Sequence, residues 1–395
     1  MTSESQTRKT GGKQERNSLE FRVARKKRPA AEKWRAVDFF CGGGGMSHGL
    51  RNAGIDVVAG IDNDPACRET YEANHPDSPF IAEDIKNYPV ARLGKDAGVR
   101  KNDDAMIFVG CSPCQYWSVI TGRGYSERKK SAHGGRNLLR DFLRFVEHYR
   151  PGFVVVENVR GIEKHDKESG LAEMLKFFKN SGYKHDHDIL STNNFGVPQS
   201  RQRFILIASR VLDVVELPVP DKSKPRPTVF DFIGGKKRQP AIQAGECAPG
   251  DRLHKSPNLS ATNLARLKLT PQGGNRKHWH QRDDLQIDAY RGKSPEFFRE
   301  NYGRMAWREP APTITTKFFA LGCGRFGHPE ENRAISLREG AMLQTFPKRY
   351  KFTTSTFQAT ARIIGNAVPP KFAEAVGRSI QRQWRTYSTP KRARG

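Results

Sequence analysis

Five short apolar runs divide the first half of the chain: "AVDFF" (36–40), "DVVAGID" (56–62), "AMIFVG" (105–110), "FVVVENV" (153–159) and "FILIAS" (204–209). They are nearly unbroken rather than alternating, which suits strands buried on both faces. Amphipathic stretches such as 136–149 and 170–181 lie between them. Strands alternating with helices predict an open, mainly parallel α/β sheet. After about Pro218 the pattern changes. Residues 219–305 are rich in Pro, Lys, Arg and Gln and lose apolar periodicity, which predicts a second, smaller and irregular domain. Order returns with "ISLREGAMLQTFP" (335–347) and the helical "KFAEAVGRSIQRQW" (371–384).

Composition sharpens the expectation about partners. The 395 residues carry 68 Lys and Arg against 42 Asp and Glu, a formal charge of +26. Such a surplus points to a polyanion, nucleic acid above all. Residues 1–35 hold 11 Lys and Arg and 4 Glu, so most of the excess lies in the body of the chain. Residues 1–33 read as a basic, disordered arm with no apolar signal-peptide core. No apolar run reaches the roughly 18–20 residues that span a bilayer. Six scattered cysteines do not make a disulfide framework, and the expectation is a soluble protein of a reducing, cytoplasmic compartment.

The first run leads into "VDFFCGGGGMSHGL" (37–50), a strand, a glycine turn and a helix start. Small residues there let a ligand approach the backbone at the carboxyl edge of a sheet. The G-x-G-x-x-G dinucleotide fingerprint does not fit, because Gly42 and Gly44 are followed by Ser47, and Gly43 and Gly45 by His48. Asp62 closes the second apolar run about 20 residues on, where an acid can hold both ribose hydroxyls. A ribose without a pyrophosphate suggests an adenosine cofactor such as S-adenosylmethionine.

Cys111 and Cys114 stand in a C-x-x-C spacing in "GCSPCQYWS". That spacing serves a zinc half-site, a redox pair or a nucleophile with a cysteine neighbour. A structural zinc site needs a second close pair of ligands, and the other cysteines are scattered, so no metal is expected. A redox pair normally opens a helix, whereas here Pro113 separates the cysteines and polar residues follow.

Five motifs, "DFFCGGGG", "GCSPCQ", "ENVRG", "QSRQR" and "GNAVPP", occur in that order, and together they resemble the DNA (cytosine-5) methyltransferases of restriction-modification systems. The resemblance covers roughly residues 35–215 and 310–385. It implies a Rossmann-like, S-adenosylmethionine-dependent α/β methyltransferase domain with a smaller target-recognition domain. The corresponding segments are a basic arm (1–34), a catalytic and cofactor-binding domain (35–218), a target-recognition domain (219–317), a segment returning to the catalytic domain (318–385) and a basic tail (386–395).

The resemblance also implies residue roles. Phe40, Gly42, Gly44 and Gly45 would line the methionine and adenosine pocket, with Asp62 on the ribose. Asn63 would lie against the adenine, where the family often has a larger residue. Asp84 would accept from the adenine amino group, and Asn366 would close the pocket. Cytosine C5 is a poor nucleophile until something adds at C6, and Cys114 matches the thiolate that does so. Glu157 matches the carboxyl that protonates or hydrogen-bonds N3. Arg203 would hold the base O2, with Arg201 bracing the site. Their spacing of two turns both to one face of a strand.

The stretch 115–135 is glycine-rich and basic, as expected of a loop that closes over substrate. Gln115, Ser118, Arg123, Lys129 and Lys130 are its candidate DNA contacts. Such a loop can shield the gap left by a flipped base. The sequence is therefore read as a monomeric cytosine C5 methyltransferase acting on double-stranded DNA. A cognate restriction endonuclease of the same site is an expected partner, and a membrane is not. Alternatives are an RNA cytosine-5 methyltransferase on the same core and a catalytically inactive DNA-binding relative.

Overall fold

Strand β1 (Arg35–Phe39) stands at the point where a seven-stranded sheet reverses its order, β3-β2-β1-β4-β5-β7-β6. A computed structural model describes residues 33–113, 137–294 and 296–388, all within one compact unit. The other strands are β2 (Asp56–Asp62), β3 (Phe80–Ala82), β4 (Met106–Gly110), β5 (Phe153–Val159), β6 (Lys184–Ser191) and β7 (Gln202–Ser209). The first five pair in parallel, while β7 runs antiparallel to both β5 and β6. The five apolar runs all form strands. Strand β6, "KHDHDILS", was not expected. Its alternating charges mark a half-covered edge, with exposed and half-buried positions in turn.

The helices described are α1 (Gly45–Asn52), α2 (Arg68–Asn74), α3 (Arg92–Ala97), α4 (Leu138–Tyr149), α5 (Asp166–Ser169), α6 (Leu171–Asn180), α7 (Val229–Ile233), α8 (Ala261–Leu269), α9 (Leu337–Leu343), α10 (Phe357–Asn366) and α11 (Pro370–Ser388). Strand periodicity sorts the central side chains onto two faces. Val37, Phe39, Phe108, Val154 and Val156 pack under α4 and α6, against Phe142, Phe145 and Met174. Ala36, Ile107, Val109 and Val155 pack on the other face under α1 and α11, against Leu50, Phe372, Val376 and Ile380. These side chains are fully buried, and each Val, Leu, Ile, Phe or Met among them contributes on the order of 2 kcal/mol. The result is a three-layer α/β/α unit.

Helix termini carry local signals. Asn137 Oδ1 accepts from Arg140 N at the start of α4, and Pro370 opens α11 at a position where no amide is required. A further apolar cluster joins α7 and residues Met305–Phe326 to α9 and α10 through Val229, Trp307, Ile314, Leu343 and Ile364. Parts of residues 229–364 thus share this cluster, while Ile363 packs against Cys41, Cys67 and Tyr71 beside the sheet and α11 returns to it.

Candidate active site

In open α/β sheets, ligands bind outside the carboxyl ends of the strands where the order reverses. Here the edge gathers the turn after β1, Asp62 at the end of β2, Asp84 after β3, residues 111–113 after β4 and the end of β5. Because β7 is antiparallel, its beginning lies at this edge too. The topology brings "GCSP" (110–113), "ENV" and "QSRQR" together although they are dispersed in sequence.

A small cleft lies beside the reversal, lined by Phe40, Asp62, Asn63, Asp84, Ile85, Pro113 and Leu138. Asp62 Oδ2 accepts from Gly42 N at 2.8 Å and Oδ1 from Asp64 N at 2.9 Å, which aims the carboxylate across the glycine turn. Burial raises the Asp62 pKa, while these backbone amides pull against it. Phe40 has φ 63°, a left-handed conformation that is strained for a bulky residue. Asp84 Oδ1 caps the following turn by accepting from Lys86 N.

The glycines divide in role. At Gly42, with φ +52°, an added Cβ would meet nothing within 4 Å. The space beside Gly44 is taken by His75 and Tyr350, and that beside Gly45 by the Val368 carbonyl and Ala367. Tyr350 Oη donates to the Gly43 carbonyl at 2.5 Å. The glycine turn is therefore clasped from behind by the C-terminal segment. Gly44 and Gly45 permit that packing, and none of Gly42, Gly44 and Gly45 is among the residues that line the small cleft. Beneath the turn, Asp38 is fully buried and accepts from Ser47 N at 3.0 Å and Ser47 Oγ at 2.6 Å. Burial pushes its pKa up to about 7.

On the other side of the reversal, Glu157 and Arg203 meet. Arg203 Nε lies 2.9 Å from Glu157 Oε1, and both side chains are largely buried. The approach lacks hydrogen-bond alignment, so Oε1 has no directed donor among the described residues. Arg203 Nη1 also donates to the Gln202 carbonyl. The expected period-two pattern holds: Gln199 and Arg201 are buried and Arg203 half-buried, while Ser200 and Gln202 are exposed.

Arg201, just before β7, does not share this pair. Its guanidinium donates to the carbonyls of Ile314 at 3.1 Å and Ala367 at 3.2 Å. Gln199 works beside it, donating to the Leu343 carbonyl and accepting from Ile314 N. Arg201 thus fastens "QSRQR" to the distant motif "GNAVPP", and Gln199 fastens it to residues 314 and 343–344. Asn366 lines a cavity of about 600 Å³ together with Arg201, Arg203 and Thr313, rather than the cleft beside Asp62.

Cys114, Gln115, Ser118, Arg123, Lys129 and Lys130 lie outside the described residues. The chain up to that point is well fixed. Asn158 Nδ2 donates to the Ser112 carbonyl at 3.3 Å and to Ser112 Oγ at 3.1 Å. The strand that carries Glu157 therefore holds the turn leading to Cys114. Sequence reasoning assigned no role to Asn158, Gln199 or Asp38. For Asn158 and Asp38, a buried amide or acid inside an otherwise apolar run was the available signal, since such groups require partners; Gln199, in the polar "QSRQR", carried no such signal.

A family model for C-5 cytosine-specific DNA methylase matches residues 34–382. The type II methylase M.HgiDII of Herpetosiphon aurantiacus is 35% identical over 350 residues, covering 88% of this chain and 94% of that protein. The type II methyltransferase M1.HphI of Haemophilus parahaemolyticus is 29% identical, covering 87% of this chain and 86% of its own. Among solved structures, the methyltransferase EhMeth of Entamoeba histolytica superposes with a TM-score of 0.60, covering 90% of this chain and 99% of its own at 12% identity.

Proposed function

The chain belongs to the family of C-5 cytosine-specific DNA methylases, and we propose that it transfers a methyl group from S-adenosylmethionine to C5 of a flipped-out cytosine in a specific duplex DNA sequence. The observation that carries this reading is the meeting of Glu157 and Arg203 at the sheet edge, beside the Asn158-held turn that leads into Cys114.

The cleft fits the cofactor. Asp62 offers a carboxylate for ribose hydroxyls, and Asp84 one for an exocyclic amine. Phe40, Ile85 and Leu138 offer apolar walls, and Gly42 leaves open the space a side chain would fill. When bound, S-adenosylmethionine supplies the methyl group as an electrophile. Gly44 and Gly45 act indirectly, by admitting the segment that clasps the turn.

The chain's own residues prepare the base. The Cys114 thiolate adds to cytosine C6, and the electron pair moves toward N3 and makes C5 nucleophilic. Glu157 donates a proton or hydrogen bond at N3. Arg203 orients that carboxyl and holds the base O2. Loss of the C5 proton after methylation expels the thiolate. Arg201 keeps the beginning of β7 in place.

Residues 219–317 read the target sequence, and Gln115, Ser118, Arg123, Lys129 and Lys130 contact DNA around the flipped base. Asn366 closes the site from the C-terminal side. The enzyme acts as a cytoplasmic, nucleoid-associated monomer, and a restriction endonuclease of the same specificity accompanies it. No helix among the described residues is long and apolar enough to cross a membrane. The test is methyl transfer from labelled S-adenosylmethionine to duplex DNA and to RNA, with bisulfite sequencing of the DNA. Methylation at C5 of one duplex sequence is expected. RNA-only activity, or none, would overturn the reading.

A further inference from the structure

A groove of about 960 Å³ lies outside the catalytic centre, between one face of α11 and the segments 193–196 and 218–227. Its charge is one-sided. Lys222, Lys224, Arg226, Lys371, Arg378 and Arg382 line it, against only Asp221 and Glu374. Both acids are already engaged: Asp221 lies 3.1 Å from Lys224 Nζ, and Glu374 2.7 Å from Arg378 Nη2. Lys222, Arg226, Lys371 and Arg382 form no ion pair among the described residues.

The three cations of α11 recur at 371, 378 and 382, a spacing that keeps them on one helical face. The two lysines of residues 222–224 face them from a separate segment. Crowding is evident in the chemistry. The ammonium groups of Lys371 and Lys237 both approach the ring of Phe232, at 5.1 and 5.0 Å. Partial burial lowers the Lys371 pKa, and the nearby charges of Lys237 and Lys224 act in the same direction. Glu374 offsets this in part, but cations outnumber acids along the groove, and the surplus raises a local potential that an anion would relieve.

The groove is also continuous with the catalytic side. Asn193 and Arg226 line both it and the cavity that contains Arg201 and Arg203. A strand of phosphates leaving the catalytic cavity past Arg226 would enter it directly.

We propose that this groove is a second DNA-binding surface, which holds the phosphodiester backbone of duplex flanking the target sequence. The proposal rests on the DNA methyltransferase reading above. The surface carries charge and no base-reading geometry of its own, so its contribution is affinity independent of flank sequence. It makes binding to long duplexes tighter and more salt-sensitive than binding to the bare target.

The experiment uses the full-length protein and two duplexes carrying the same target, one with short flanks and one with flanks of about 20 base pairs, roughly two helical turns. Dissociation constants are measured against salt for the wild type and for Arg378→Ala/Arg382→Ala, both on α11 and outside the segment proposed to read the target. Both residues are exposed, so thermal stability should be unchanged. On the long duplex the slope of log K against log salt should become less negative by about two in the variant. Binding to and methylation of the short duplex should match the wild type. Equal slopes for variant and wild type on the long duplex would overturn the inference, as would equal losses on both duplexes. Failure of the wild type to methylate either duplex is a separate result. It would remove the DNA methyltransferase reading, and the inference with it.

Discussion

Arg203 Nε stands 2.9 Å from Glu157 Oε1 across two antiparallel strands, the register placing Arg203 opposite Val159 and Glu157 opposite Ile205. Neither residue is near the other in sequence. The pairing exists because β7 reverses direction at an otherwise parallel sheet and returns its first residues to the carboxyl edge. A largely buried acid beside a guanidinium, without a directed hydrogen bond, is poised to take a donor or acceptor from a substrate.

The first prediction concerns this pair. Glu157→Gln removes the proton donor while keeping the shape, so methyl transfer should fall by about 10²–10⁴-fold. DNA affinity should change little. Single-turnover rates and a binding titration on the same duplex separate the two effects. A variant with rates near the wild type would exclude Glu157 from the chemistry.

Arg201 and Arg203 should behave differently despite their spacing. Arg201→Ala removes the donor to the Ile314 carbonyl and one of two donors to the Ala367 carbonyl, which keeps Gln344 Nε2, and should cost about 1–3 kcal/mol of stability. Arg203→Lys, which keeps a cation beside Glu157 but not the planar fork, should lower activity with the thermal midpoint nearly unchanged. Paired melting curves and rates test this. Equal melting points would contradict the bracing role of Arg201.

These two arginines also show how far the sequence could be read. The apolar runs announced the sheet because unbroken Val, Ile and Phe have few other places to go. The alternation in "QSRQR" announced which side faces inward. The partner of each guanidinium was not legible, since Ile314 and Ala367 lie 113 and 166 residues away. Strand β6 escaped notice because an edge strand with His and Asp on alternate positions resembles a loop. The glycines were legible as a turn, but their clasping by Tyr350 and Val368 depends on connecting segments near the far end of the chain.

A third prediction follows from the cleft. Asp62→Ala removes the carboxylate proposed to hold the ribose and the acceptor for Gly42 N. S-adenosylmethionine binding should weaken by about 10–100-fold, the equivalent of one or two charge-assisted hydrogen bonds. Calorimetric titration without DNA measures this directly. Unchanged affinity would place the adenosine elsewhere.

Asp38 gives a pH signature. Its folded pKa, pushed up to about 7 by burial, exceeds the ordinary value of 3.8. The folded state therefore binds this proton more tightly than the unfolded chain does. That contribution to stability is complete below about pH 4 and is lost as pH rises through 7. Burial lowers the pKa of His75 to about 3 and of His328 to about 4, so these two act in the opposite sense. The difference in melting temperature between wild type and Asp38→Asn isolates the aspartate. It should shift steadily against the wild type from pH 4 to 7. A difference independent of pH would show that Asp38 is ionised throughout.

Exchange of segment 219–317 with that of a relative tests the assignment of sequence recognition. The hybrid should keep Val229, Ile233, Met305 and Trp307, which share a core with α9 and α10. It should then methylate the donor's sequence. An active hybrid that still methylates the parent's sequence would show that recognition lies elsewhere.

The central claim is that Cys114 attacks the base, and trapping tests it most directly. With fluorine at cytosine C5, the proton that must leave after methyl transfer is absent, so the enzyme should remain covalently attached to DNA through denaturation. Trapping should require S-adenosylmethionine. Cys114→Ser should abolish it, because a hydroxyl is far less ionised than a thiol near neutral pH. Cys111 packs against the apolar face under α1 and α11, and Cys111→Ser should trap nearly as well as the wild type. Mass spectrometry of the trapped peptide should place the adduct on Cys114. An adduct on Cys111, or equal loss of trapping in both variants, would contradict the account.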